Sequence, residues 1–143
     1  MNVSAKDDFA AMLEILKLMH NVDYVEQVID DISKLVKTDK LEFMDEFTRN
    51  MSRKNQKKHN RYEPLMKLTK NQKRRLDGRK LYRYEYRKNS NFRCIYLAKD
   101  AYNNMIILLA FNEDGDKSKG KGNYDLNIEK AIKRYESFKK SMR

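Results

Sequence analysis

The fold is decided by the stretch Leu81-Tyr82-Arg83-Tyr84-Glu85-Tyr86-Arg87, in which apolar or aromatic residues alternate with charged ones. A period of two is typical of a β-strand that packs one face and exposes the other. The three tyrosines share one face, and the charged residues share the other. The tyrosine face is expected to be core, with stacking on a nucleobase as the alternative for a tyrosine near the edge.

The sequence on the C-terminal side predicts an antiparallel meander and then a helix. Polar turn residues at 88–91 and 100–104 separate two further strands, 92–97 and the apolar run 105–111. After a loop rich in Gly, Asp and Lys, apolar residues from Leu126 to Phe138 recur at helical spacing. The last strand is expected to be the most buried.

The sequence on the N-terminal side predicts helices. One runs from Ser4 to about Asn21, a second starts at Asp23, and a third starts after Asp39, with Leu41, Met44, Phe47 and Met51 on its apolar face. A fourth helix is expected between Tyr62 and Leu76, before the turn at Asp77-Gly78. The predicted fold class is therefore α+β, with N-terminal helices, an antiparallel sheet over about residues 80–111 and a C-terminal helix.

Charge is distributed unevenly along the 143 residues, whose net charge is +11. Residues 1–48 carry a net charge of −6, whereas residues 49–143 carry +17, and the stretch 49–80 alone holds thirteen basic side chains against two acidic ones. Such a concentration of positive charge favours a polyanionic partner, most commonly nucleic acid. A lysine-rich surface in contact with water is the alternative.

Several classes of protein are disfavoured by composition. No apolar run approaches the length of a membrane span, and residues 1–8 do not resemble a secretory signal, so we expect a cytoplasmic protein that does not contact membranes. The single cysteine, Cys94, and two separated histidines lack the spacing of a metal site, and no glycine-rich phosphate loop is present. We therefore predict no metal and no cofactor.

The charged strand face is the candidate site. Arg83, Glu85 and Arg87 are expected beside Arg93 of the next strand, where arginine forks would hold phosphate and the carboxylate would act on a proton. Ion pairing across the strands, for stability alone, is the other interpretation, and the spacing does not choose between the two.

The segment from Leu76 to Phe138 resembles the RelE/ParE superfamily of toxins, nearest to its HigB-like members. Five motifs occur in the family's order: Leu76-x-Gly78, Tyr84-Glu85-Tyr86-Arg87, Phe92-Arg93-Cys94-Ile95-Tyr96, the 105–111 strand and Ile128-Glu129-Lys130-Ala131. The resemblance covers about residues 41–140 and is loose before Leu76. It implies two N-terminal helices packed on a small twisted antiparallel sheet, with a C-terminal helix. It divides the chain into an acidic helical N-terminal extension, residues 1–38, and a toxin domain, residues 39–143.

This resemblance implies the toxin of a type II toxin-antitoxin system, a metal-independent endoribonuclease that cleaves mRNA on the ribosome. It makes Arg93, Glu85 and Tyr124 the catalytic candidates. Contacts to RNA or phosphate are expected from the remaining basic candidates, which are Arg83, Arg87, Arg74, Arg75, Lys117 and Lys119. The implied partners are a cognate antitoxin protein and the mRNA with its ribosome, and a homodimer through the N-terminal helices is a further expectation.

Two other functions stay open. The first is a non-catalytic inhibitor on the same fold, such as a gyrase poison. The second is a phage or plasmid regulator that binds nucleic acid or a host protein. The sequence Asn112-Glu113-Asp114 favours these alternatives, because the family often carries basic residues after the apolar strand.

Overall fold

The computed structural model describes residues 5–20, 22–55, 62–64, 68–85, 91–98, 105–113 and 124–141. Within them lie five helices and five strands. The helices are α1 (Ala5–His20), α2 (Gln27–Leu35), α3 (Lys40–Asn55), α4 (Lys70–Arg75) and α5 (Tyr124–Ser141). The strands are β1 (Val22–Tyr24), β2 (Tyr62–Pro64), β3 (Leu81–Glu85), β4 (Phe92–Ala98) and β5 (Met105–Asn112).

The α+β prediction is confirmed, with helices before the meander and one helix after it. The sheet order is β1-β5-β4-β3-β2, and β3, β4 and β5 form the antiparallel meander that the sequence predicts. The sheet as a whole is mixed and extends beyond 80–111, because β1 pairs parallel with β5 and β2 pairs antiparallel with β3. Both additional strands have three residues, too few to show an alternating pattern.

The predicted helix start at Asp23 is wrong. Val22–Tyr24 forms β1, paired with Met105–Ile107, and the backbone N–H of Val25 donates to the carbonyl of Ile107 at 3.0 Å. Helix α2 begins only at Gln27. The local capping pattern is overridden because pairing with the most buried strand satisfies the same backbone groups and buries Val22.

Helix α3 covers the tyrosine face of the sheet. It begins at Lys40, as predicted, but its buried face is formed by Phe43, Phe47 and Met51, whereas Leu41 is 80% exposed, contrary to the prediction. The ring of Phe47 meets Tyr84 edge-on with centroids 5.8 Å apart. An apolar stripe along α3 therefore closes one side of the core.

Among the described residues of the segment 62–76, the helix is confined to the end. Tyr62–Pro64 is a strand, and helix α4 spans Lys70–Arg75, so the predicted helix is wrong for residues 62–64. Residues 65–67 lie outside the described residues. Thr69 caps α4 through a reciprocal pair of hydrogen bonds with Gln72. The chain then turns through Gly78, whose φ of +75° is the left-handed conformation that glycine adopts without strain.

Strand β5 lies at the centre of the core, as predicted. All seven residues from Met105 to Phe111 are buried. They belong to a single hydrophobic cluster that also contains residues of α1, α2, α3 and α5. Among the described residues, no helix is both long enough and apolar enough to cross a membrane.

A part-buried ion pair closes the edge of β5 beyond the short strand β1. Asp31 of α2 and Arg134 of α5 are 2.5 Å apart, with side chains only 14% and 12% exposed. The Asp31 carboxylate accepts the N–H of Ala110 at 3.1 Å, and Arg134 donates to the carbonyl of Leu108 at 3.0 Å. Two side chains thus complete the hydrogen bonding of an edge that a longer β1 would otherwise cover.

Candidate functional site

The strand register brings the predicted site residues together. Arg83 and Glu85 lie on the same face of β3, and Glu85 pairs directly with Arg93 of β4. Tyr84, between them in sequence, points to the opposite face and is fully buried. This arrangement follows from the period of two that the sequence shows. The charged face of β3 is therefore continuous with Arg93.

Arg93 is less exposed than Arg83 and Glu85, the two charged residues of β3 beside it. Its side chain is 12% exposed, and its guanidinium donates to the Glu113 carboxylate at 2.7 Å and to the carbonyl of Phe92 at 2.9 Å. Its Nε lies 3.7 Å from Glu85 Oε1. A guanidinium held at several points has a fixed orientation, which is the condition for directed binding of an anion.

Arg83 connects β3 to the start of α5. One terminal nitrogen donates to the hydroxyl of Tyr124 at 3.2 Å, and the other lies 3.2 Å from Glu85. The guanidinium carbon is 5.7 Å from the centre of the Tyr124 ring. That ring packs edge-on against Phe111, with centroids 5.2 Å apart, so its position is fixed by the core.

The phenol of Tyr124 is held in its protonated form. Burial raises its pKa above the ordinary value for tyrosine, and the hydrogen bond from Arg83 opposes this rise without cancelling it. A protonated phenol donates a proton and does not accept one. Tyr124 is thus suited to act as an acid, not as a base, near neutral pH.

We call the five residues Arg83, Glu85, Arg93, Glu113 and Tyr124 the Arg93 cluster. Two arginines face two glutamates, so the formal charges of the cluster cancel. The ion pairs expected if these residues serve stability alone are present. The charged side chains and the phenol also meet at one place, as expected of a functional site.

Glu113 is the member that sequence reasoning did not assign to the site. It directly follows β5, and its backbone N–H donates to the carbonyl of Asn91 at 2.7 Å. Phe92 pairs with Asn112, so the residue after Asn112 lies beside the start of β4 and reaches Arg93. The signal was its place at the end of the neighbouring strand, which becomes informative only once the register is known.

Arg74 and Arg75, the predicted phosphate contacts on α4, have different environments. Arg75 forms ion pairs with Glu136 at 2.7 Å and Glu129 at 2.6 Å. The hydrogen bond to Glu136 contributes most to a rise in the pKa of Arg75, and the bond to Glu129 contributes next. Together they fix the guanidinium against α5. Arg74 is exposed and bonds to Asn71 within its own helix. Of the two, Arg74 is the better placed to meet a ligand.

The other predicted contacts lie outside the described residues. These are Arg87, Lys117 and Lys119.

The tyrosine face is confirmed as core at Tyr84. Its hydroxyl accepts a hydrogen bond from Asn50 of α3 at 2.7 Å. Tyr82, half-buried, stacks on Tyr96 of β4 with ring centroids 5.6 Å apart. Tyr86 lies outside the described residues.

No protein-family model, curated protein or solved structure matches this chain. Among the described residues, no group of three or more His, Cys, Asp or Glu side chains has the arrangement to hold a metal ion. The assignment of a function therefore depends on the chemistry of the Arg93 cluster and on the resemblance of its motifs.

Proposed function

We propose that the chain is a RelE/ParE-like toxin of a type II toxin-antitoxin system, a metal-independent endoribonuclease that cleaves mRNA on the ribosome. One observation carries the proposal: Arg93, Arg83, Glu85 and Tyr124 come from three separate elements and meet on one face of the sheet. The family resemblance nominates these residues from the sequence, and its quoted motifs contain Glu85 and Arg93 themselves.

In the proposed reaction the RNA supplies its own nucleophile. The ribose 2′-oxygen bonds to the adjacent phosphorus, and the bond from phosphorus to the 5′-oxygen of the next nucleotide breaks. Glu85, 44% exposed, takes the proton of the 2′-hydroxyl, and Tyr124 donates a proton to the departing 5′-oxygen. Arg93 stabilises the negative charge that develops on phosphorus-bound oxygens, with Arg83 positioning both proton-transfer groups.

The basic surface supports an RNA partner as well. Arg74 and Lys73 are exposed on α4, within the stretch 49–80 that holds thirteen basic side chains. Contacts of this kind bind phosphates without reading sequence and bring a polyanion to the cluster. With this function the protein acts in the cytoplasm beside ribosomes, and a cognate antitoxin is its other partner.

A non-catalytic inhibitor on the same fold is the second candidate, and Glu113 favours it. This carboxylate neutralises Arg93, the residue that the reaction needs most, at 2.7 Å. A protein that inhibits gyrase or another host protein without cleaving RNA needs no free guanidinium here.

Controlled expression distinguishes the two candidates. Growth, mRNA 5′ ends and DNA supercoiling are measured after induction of wild type, Arg93→Ala and Lys130→Ala. Lys130→Ala is the control, because Lys130 is an exposed residue of α5 and its replacement removes one positive charge, as Arg93→Ala does. Lys139 of the same helix is unsuitable as a control, because it pairs with Asp77 at 2.9 Å.

New mRNA ends that disappear in Arg93→Ala but persist in Lys130→Ala support the endoribonuclease. Growth arrest with intact mRNA and altered supercoiling contradicts it and supports the gyrase poison.

A further inference from the structure

We propose that Glu113 is an internal competitor of the substrate phosphate for Arg93, so that the site is closed to phosphodiesters until this carboxylate is displaced. The inference rests on the proposed function, in which Arg93 binds phosphate. It assigns to Glu113 the regulation of that same site.

The geometry of the pair carries the inference. The Glu113 carboxylate contacts a terminal nitrogen of Arg93 at 2.7 Å, the shortest contact of that guanidinium among the described ones. A carboxylate and a phosphate present similar pairs of oxygens to the guanidinium fork. An incoming phosphate that uses this edge of Arg93 must therefore take the place of Glu113.

The anchoring of Glu113 allows displacement without unfolding. Its backbone N–H is fixed to Asn91 at 2.7 Å, and the preceding residue is held by the pairing of Asn112 with Phe92. The side chain itself is 24% exposed, so it has solvent into which to rotate. The carboxylate stays near Arg93 at high effective concentration and returns when the ligand leaves.

Other ion pairs of the protein serve the fold in ways that this one does not. Arg134 and Asp31 bond to the backbone of β5, and Arg75 joins α4 to α5. Glu113 and Arg93 instead join strand ends that the β4–β5 register already holds together. The contact is therefore dispensable for the sheet but decisive for the charge of the site.

The consequence is selectivity between the bound substrate and the transition state. A phosphodiester carries one negative charge and competes weakly with a tethered carboxylate. The phosphorane carries more charge and competes strongly, so Glu113 reduces ground-state binding more than transition-state binding. Substrates must then gain their affinity from contacts elsewhere on the basic surface.

The test measures binding, not cleavage. A fluorescent single-stranded DNA oligonucleotide, which has phosphodiesters but no 2′-hydroxyl, is titrated with wild type, Glu113→Gln and Glu113→Ala. Asp45→Asn is the control, because it changes the net charge equally in an exposed pair with Arg49 on α3, on the other face of the sheet. Thermal melts monitor folding, and the nearly isosteric glutamine variant retains the side-chain volume.

We expect both Glu113 variants to bind about tenfold more tightly than wild type, which is about 1.4 kcal/mol at 25 °C, and Asp45→Asn to change affinity less than about twofold. The gain should vanish when Arg93→Ala is added. Equal gains for Glu113→Gln and Asp45→Asn overturn the competitor role and leave the proposed function intact. If the gain of the Glu113 variants persists in the Arg93→Ala background, Arg93 is not a phosphate ligand, and the proposed function fails too.

Discussion

The ion pair between Asp31 and Arg134 should be a major source of stability. Asp31→Ala leaves the Arg134 charge without its carboxylate and removes the acceptor of the Ala110 N–H. Breaking a buried pair from one side costs about 3–5 kcal/mol. Because the side chains keep 14% and 12% of their exposure, we expect the lower end of that range, about 3 kcal/mol.

A double-mutant cycle isolates the pairwise contribution. Equilibrium urea unfolding is measured for Asp31→Ala, Arg134→Ala and the double variant, and we expect a coupling energy of about 2 kcal/mol. The matched cycle uses Asp45 and Arg49, which are 69% and 53% exposed and four residues apart on α3. That surface pair should couple by no more than about 0.5 kcal/mol.

The result that would refute this reasoning is equality of the two cycles. If Asp31→Ala costs less than about 1 kcal/mol, the side chains do not complete the edge of β5. The packing of α2 and α5 against β5 would then depend on apolar contacts alone.

Three further predictions concern the ion pairs of Arg75, the exposed Arg74 and the phenol of Tyr124. Hydrogen bonds from Arg75 lower the pKa of Glu129 and Glu136. The stability that these carboxylates contribute is therefore present above about pH 4.5 and is lost as the pH falls through their lowered pKa values. The difference in melting temperature between wild type and Arg75→Gln should shrink between pH 5 and about pH 3, and a constant difference would contradict this prediction. Arg74→Glu should weaken RNA binding and flatten its dependence on salt, measured by titration from 50 to about 300 mM salt, whereas affinity indifferent to ionic strength would exclude a phosphate contact. Tyr124→Phe should leave the melting temperature within a few degrees of wild type but slow cleavage by about a hundredfold, as expected for loss of an acid catalyst; an unchanged rate would remove Tyr124 from the reaction.

The meander and the C-terminal helix could be predicted from sequence because their patterns are local. The alternation in 81–87 and the apolar run 105–111 each specify a strand, and Gly78 marks the turn before them. Strand β1 could not be predicted, because Val22–Tyr24 is extended through its pairing with Met105–Ile107, more than eighty residues away. Helical spacing likewise did not distinguish Leu41 from Phe43 as the residue that faces the core.

The candidate site, like the fold, was predictable where the pattern is local. Arg83 and Glu85 share a strand face, which the period of two indicates, and a neighbouring antiparallel strand had to bring Arg93 close. The ion pair of Glu113 with Arg93 depends on the register between β4 and β5, which no local pattern specifies. The pairing of Arg75 with two glutamates of α5 depends on how α4 and α5 pack together, which likewise could not be read from the sequence.

The most direct test of the central claim is the chemistry of the cut RNA. Purified protein is incubated with ribosomes and a defined mRNA, and the new 3′ ends are analysed. We expect ends that carry a 2′,3′-cyclic phosphate and a rate at least a hundredfold lower for Arg93→Ala, since loss of such a donor costs about 3–4 kcal/mol. Intact mRNA, from a preparation whose expression still arrests growth, would contradict the assignment of the Arg93 cluster as a ribonuclease site.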